Sequence, residues 1–146
     1  MKLRDLQVHS IEQPIEKGNL DLMGSLCQER IVPIALDEEL IGIFFLEEKK
    51  ELLEKIKPQY IILKPSLHGG IKGCNEWIQL AESMNIGWWL TSALESNIGL
   101  EMIARFAAHF DPKVAQGLGT GGLFVNNFSS SLFIKEGSLY LAYEKK

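Results

Sequence analysis

The sequence predicts an α/β fold built from repeated βα units, the C-terminal part of a (β/α)8 TIM-type barrel. Two observations carry this. Short apolar runs alternate along the whole chain with longer stretches of helical period, the pattern of βαβ units and a parallel sheet. The residues that close successive runs are also evenly spaced: Glu12, Asp37, Lys64, Ser92 and Thr120 lie 25, 27, 28 and 28 residues apart. A unit of about 27 residues suits an eight-fold barrel of roughly 250 residues better than an open doubly wound sheet, the competing architecture. By that count about five units are present and about three are missing.

The runs are Val8–Ile11, Ile31–Leu36, Tyr60–Leu63, Ile86–Leu90 and a weaker Val114–Leu118. Between them, Leu20–Arg30 reads as a helix that Gly24 weakens, and Glu38–Lys57 as one with a charged flank. Ile71–Asn85 carries Trp77, Ile78, Ala81 and Met84 at helical spacing, and Ile98–Phe110 carries Met102, Phe106 and Ala107. Asp111-Pro112 closes the last, because proline disfavours helix in the residue before it. The tail from Asn126 breaks the period and reads as two strands about Glu136-Gly137, a hairpin of a different sheet. The expected division is therefore a barrel part, residues 1–125, and a hairpin tail, 126–146.

Composition excludes several function classes. The chain has 146 residues, 46% hydrophobic and 23% charged, which leaves no room for extended disorder. With 15 Lys and Arg against 19 Asp and Glu it has no general attraction for phosphate backbones. No apolar stretch approaches the roughly 20 residues of a membrane span, and no signal-peptide core follows Met1. Two distant cysteines, Cys27 and Cys74, read as packed free thiols in a reducing, cytoplasmic setting. Trp88 and Trp89 read as core, one toward the barrel interior and one toward the helices. Gly69-Gly70 before Lys72 and Gly73 lacks the phosphate-loop pattern and reads as a turn needing positive φ.

In a parallel barrel the chemistry sits at the carboxyl ends of the strands, where Glu12, Asp37 and Lys64 each follow an apolar run. Two carboxylates and a lysine at equivalent points of neighbouring strands face one small volume. Carboxylate oxygens are hard ligands suited to Mg²⁺, and an ammonium beside a divalent cation has a depressed pKa that suits a base. Together they form the apparatus for removing a proton next to a carboxylate. Of the three histidines, His68 lies in the loop closest to this mouth.

Ile11-Glu12-Gln13-Pro14, Ala35-Leu36-Asp37-Glu38, Leu63-Lys64-Pro65-Ser66, Thr91-Ser92-Ala93-Leu94-Glu95-Ser96 and Gln116-Gly117-Leu118-Gly119-Thr120 occur in one order over nearly the whole chain. In this the sequence resembles the o-succinylbenzoate synthases of the enolase superfamily, in its muconate-lactonizing-like subgroup. The resemblance implies a lyase of menaquinone biosynthesis that dehydrates 2-succinyl-6-hydroxy-2,4-cyclohexadiene-1-carboxylate through an enediolate, with Mg²⁺ or Mn²⁺ as cofactor. It assigns Glu12 and Asp37 to metal binding and Lys64 to the catalytic lysine of the sixth strand, there a stabiliser of the enediolate, so base and electrostatic roles both stand. Ser92, Ser96, Gly117, Gly119 and Thr120 are its substrate-contact positions. Gly119 departs from the Asp of many relatives, which leaves a backbone contact there.

The resemblance places the family's Lys-x-Lys pair, its first metal-binding Asp and its capping domain before Met1. A fragment of that kind is expected to self-associate or to pair with the missing part. The other functions weighed are racemisation or epimerisation of an N-acylamino acid or dipeptide on the same fold, and an inert association module.

Overall fold

The computed structural model describes residues 3–142, and for Thr120 and Gly121 the backbone alone. Two compact units divide at Trp89 and Leu90.

The first unit alternates strand and helix as the period predicts: β1 (Ile11–Glu12), α1 (Leu20–Glu29), β2 (Ile34–Leu36), α2 (Leu46–Ile56), β3 (Tyr60–Leu63), α3 (Gly70–Ser83) and β4 (Gly87–Leu90), whose last residue opens the second unit. The four strands lie side by side in chain order, β1 and β3 both parallel to β2. A doubly wound sheet reverses its order at a switch point, and this one does not, so the winding is that of a barrel. All three residues of β2, and Ile61, Ile62 and Leu63 of β3, are buried, as strands covered on both faces must be. Leu52, Leu53 and Ile56 of α2 and Cys74, Trp77, Ile78 and Ala81 of α3 complete this core.

Several elements differ from expectation for identifiable reasons. β1 is confined to Ile11–Glu12 and β2 starts at Ile34, so the strands begin later than their apolar runs. The Glu38–Lys57 stretch splits into a short 3-10 turn, Glu38–Leu40, and α2, because Gly42 takes φ +91° between them. Gly24 does not weaken α1 at random: a side chain there would come within 3.3 Å of the Lys55 carbonyl, so glycine lets α1 approach α2. Lys49, part of the charged flank of α2, is wholly buried, donating to the Gly73 carbonyl at 3.1 Å and to Glu76 at 2.7 Å above the Trp77 ring. Hydrogen bonding to Lys49 holds the Glu76 carboxyl below its usual range.

Trp88 and Trp89 are half-buried rather than core. Each is an amphipathic ring with one end held: the Trp88 indole N–H donates to Glu82 at 3.3 Å, and Trp89 lies against Tyr60 and His9 with centroids 5.7 and 5.9 Å away. Cys27 and Cys74 are buried free thiols, and burial pushes them up to about 11 and about 12. Gly69 and Gly70 do take positive φ, +82° and +71°. Among the described residues no helix is long and apolar enough to cross a membrane.

The second unit holds α4 (Asn97–Ala108), a 3-10 turn at Gly119–Gly122, and an antiparallel hairpin, β5 (Leu132–Lys135) with β6 (Ser138–Leu141), that forms its own two-stranded sheet. The expected strand Val114–Leu118 reduces to one parallel bridge between Thr91 and Gly117. The Gly117 carbonyl accepts from the Ser92 N–H at 2.9 Å and from the hydroxyls of Thr91 and Ser92 at 2.7 and 3.2 Å. That contact leaves no room for a side chain. A Cβ on Gly117 would overlap the Thr91 hydroxyl and sit 2.8 Å from the Thr91 Cβ. Gly117→Ala is expected to cost about 1–3 kcal/mol and to release the Ser92 amide to hydrogen exchange, while amides of α4 keep their protection. Unchanged Ser92 protection would show that the segment gives way freely.

Candidate active site

The strand register places three polar side chains on one face of the first unit's sheet. Glu12 is level with Ala35, and Asp37 is two residues beyond Ala35, so both point the same way. Leu36 is level with Ile61. The register therefore puts Asp37 beside Ile62, and Lys64, two residues further, shares that face. Each residue stands at or just past the carboxyl end of its strand.

The side chains meet. Lys64 Nζ donates to Asp37 Oδ2, the lysine mostly buried and the aspartate wholly so. With both acids ionised, the second oxygen, Asp37 Oδ1, is buried without a donor. Glu12, largely exposed, has its carboxyl against Asp37. A hydrogen bond to Asp37, partial burial and the like charge of Asp37 hold it at about 7, against the opposing pull of Lys64. Two abutting carboxylates share one proton unless a cation replaces it.

His68 stands behind Lys64. The turn after β3 folds back, with the N–H groups of Leu67 and His68 donating to the Lys64 carbonyl at 2.8 and 3.1 Å. The wholly buried His68 ring accepts the Lys64 N–H on Nδ1 at 2.9 Å, leaving Nε2 without a partner. Burial, helped by the charges of Lys64 and Lys49, lowers it to about 4, although Asp37 opposes this. The neutral ring therefore carries its proton on Nε2. Gly73 is bound into the same turn, because a Cβ there would overlap the His68 carbonyl.

Beneath Asp37 the amide of Gln13 ties the loop after β1 to the loop after β2, and the buried Glu39 completes the tie. The sequence shows Gln13 next to Glu12 and Glu39 two residues past Asp37, but no pattern in it assigns either a role.

In the second unit Ser92 is buried on the Gly117 carbonyl. Ser96 is the N-cap of α4 but makes no side-chain cap bond. Gly119 begins the 3-10 turn, with open space where a side chain would point. The side chain of Thr120 lies outside the described residues. His9 is occupied by Ser10, Tyr60 and Trp89 rather than by Glu12, Asp37 or Lys64, and in the second unit His109 packs beside Phe110.

Residues 1–140 match the enolase C-terminal domain-like family. The chain belongs to that family. It is 49% identical over 138 residues to the o-succinylbenzoate synthase of Desulfotalea psychrophila, covering 94% of this chain and 37% of that protein. The enzyme of the same name from Haemophilus influenzae is 35% identical, over 61% of this chain and 26% of its own length. The crystal structure of MenC from Desulfotalea psychrophila superposes with a TM-score of 0.90 at 50% identity, over 94% of this chain and 38% of that one. A substrate-liganded L-Ala-D/L-Glu epimerase from Bacillus subtilis superposes at 0.78 with 21% identity, over 94% of this chain and 38% of that one, which shows a shared fold. The chain thus spans less than two fifths of the length of these relatives.

Two outcomes are expected of the site. Glu12→Gln removes one of two abutting carboxylates and stabilises the metal-free chain above pH 7; the gain fades as pH falls from 7 and is gone below pH 4.5, where Glu12 is protonated folded or unfolded. A urea midpoint at pH 8 that does not rise refutes the carboxylate contact. His68 acts in the opposite sense. Its folded pKa lies below that of the unfolded chain, so stability is complete above about pH 6.5 and falls as the unfolded state takes up the proton, on the order of 2 kcal/mol by pH 4.5. His68→Asn keeps an acceptor for Lys64 and should flatten that slope in urea titrations; an unaltered slope assigns it to other groups.

Proposed function

We propose that the chain carries the carboxylate and lysine machinery of an o-succinylbenzoate synthase, a hydro-lyase that removes water from 2-succinyl-6-hydroxy-2,4-cyclohexadiene-1-carboxylate. The observation that carries the proposal is the meeting of Glu12, Asp37 and Lys64 at the ends of three adjacent strands. Identity of 49% to an enzyme of that name supports it.

The donor set fits a divalent cation. Both acids are hard oxygen donors, Asp37 Oδ1 is buried without a hydrogen-bond partner, and the abutting carboxyls raise Glu12 to about 7, a repulsion that a cation would relieve. Among the described residues no group of three or more His, Cys, Asp and Glu side chains assembles, so Glu12 and Asp37 supply part of a shell. When bound, Mg²⁺ supplies concentrated positive charge where negative charge grows on the substrate carboxylate. On this proposal Glu12 and Asp37 hold the ion.

Lys64 brings an ammonium to the same face, aimed by its contact with Asp37 and by the His68 ring on its backbone. There it stabilises the developing enediolate electrostatically or moves the proton from the carbon next to the carboxylate. Ser92, Ser96, Gly117, Gly119 and Thr120 are assigned to the succinyl end, through small side chains and backbone N–H groups. As part of a site, the chain is expected to associate with a second copy or with the remaining elements of the barrel, in the cytoplasm.

The test is loss of the cyclohexadiene absorbance with Mg²⁺, on the 146-residue chain and on a version extended through the strands that the relatives carry. Turnover in the extended protein, with a loss of at least 10³-fold on Lys64→Ala, is the expected result. No turnover in the extended protein refutes the dehydratase. Epimerisation of a dipeptide by the same protein would replace it.

A further inference from the structure

Gln13 follows Glu12 directly, yet its side chain belongs to the other carboxylate. Its Oε1 accepts the backbone N–H groups of Asp37 and Glu39, at 3.2 and 3.3 Å, and its Nε2 donates to the Ile15 carbonyl at 3.2 Å and to Glu39 Oε2 at 3.0 Å. The other oxygen of Glu39 accepts the Gly18 N–H at 2.8 Å. Both hydrogens and the oxygen of the amide are in use. Flipping it would turn NH₂ onto two N–H donors and the oxygen onto a carboxylate, so the network admits one orientation.

Two further observations mark the arrangement as built for position. Gln13 takes φ +36° directly before Pro14, a left-handed conformation that is strained for a non-glycine residue and persists only where its surroundings enforce it. Glu39 is a carboxylate only 3% exposed, and its hydrogen-bond donors are the Gln13 amide and the Gly18 backbone N–H rather than a cation. One side chain therefore spans the main chain carrying Glu12 and the main chain carrying Asp37.

We propose that Gln13 and Glu39 form a positioning clamp that sets the separation of the Glu12 and Asp37 carboxylates, and with it the affinity of the chain for a divalent cation. The inference rests on the metal-holding role proposed for those two acids. Neither clamp residue touches the ion; each acts through the backbone of a carboxylate that does. Supporting groups of this kind typically govern metal affinity by 10–100-fold.

The clamp depends on complementary polarity, amide at 13 and carboxylate at 39. Gln13→Glu sets two carboxylates against each other, and Glu39→Gln sets two NH₂ groups together unless one amide flips. The double variant reverses the polarity, restores the contact between the two side chains and keeps the net charge, while the Ile15 carbonyl loses its donor. In Mn²⁺ titrations followed by the paramagnetic resonance of the free ion, each single variant should bind about tenfold more weakly and the double variant more tightly than either single. Urea midpoints measured alongside identify any variant that fails to fold. For that case Gln13→Asn, which keeps the amide but falls one carbon short, should also bind about tenfold more weakly.

Single variants that bind as the unaltered chain does, while Glu12→Gln binds worse, overturn the clamp and leave the metal-holding role standing. Tighter binding by Gln13→Glu, or a double variant as weak as the singles, also overturns it. Mn²⁺ binding that is absent, or indifferent to Glu12→Gln, overturns the metal-holding role and the clamp with it.

Discussion

A wholly buried carboxylate must be given positive charge or hydrogen, and Asp37 is the residue around which the first unit meets that demand. Lys64 covers one oxygen, and Glu12 is hydrogen-bonded to the same carboxyl group. The surrounding structure follows from keeping those groups in reach. Parallel strands in chain order bring the three side chains to one face, and the offset of two residues between successive strands staggers them along it. The 3-10 turn at Glu38–Leu40 then lets the chain turn immediately after Asp37 rather than carry the strand onward.

Loop architecture supplies what the strands cannot. Gln13 and Glu39 tie the first two strand ends together, while the third is held by its own turn, in which His68 grips the Lys64 backbone and Gly73 admits the His68 carbonyl. The neutrality of His68 is part of this. A charged imidazolium could not accept the Lys64 N–H and would set a second cation beside the ammonium, so burial that depresses its basicity also keeps the lysine aimed.

How much of this the sequence discloses depends on the range of the interaction. The strand ends Glu12, Asp37 and Lys64 are legible because a period of 25 to 28 residues is a repeated local pattern, and the winding follows from it. Tyr60–Leu63 forms a strand as its composition demands. The Val114–Leu118 run does not: its apolar residues fit a strand, but only Gly117 comes close enough to Thr91 to pair, a constraint set by a distant hydroxyl. The tryptophans mislead for a related reason, since hydrophobicity ranks them as core while each indole edge settles beside Glu82 or His9. Gln13 and Glu39 escape notice because a side-chain amide gripping the backbone 24 and 26 residues away leaves no periodic trace.

The Asp37–Lys64 pair is a poor device for stability. Desolvating two charges costs several kcal/mol each, and well-packed apolar residues of similar size are often as stable or more so. Lys49 shows how this chain satisfies a buried charge that serves structure alone: it has a carbonyl, a carboxylate and an aromatic face. Asp37 has no such settlement, because its second oxygen is buried without a hydrogen-bond partner. A fold selected only to be stable would close that gap with a hydroxyl or an amide, and the side chain of Gln13 bonds the Asp37 backbone rather than its carboxyl. Its amide is instead engaged with main chain and Glu39. Gln13 thus spends its hydrogen bonds on joining the two loops, and the Asp37 carboxyl is left to Lys64 and Glu12.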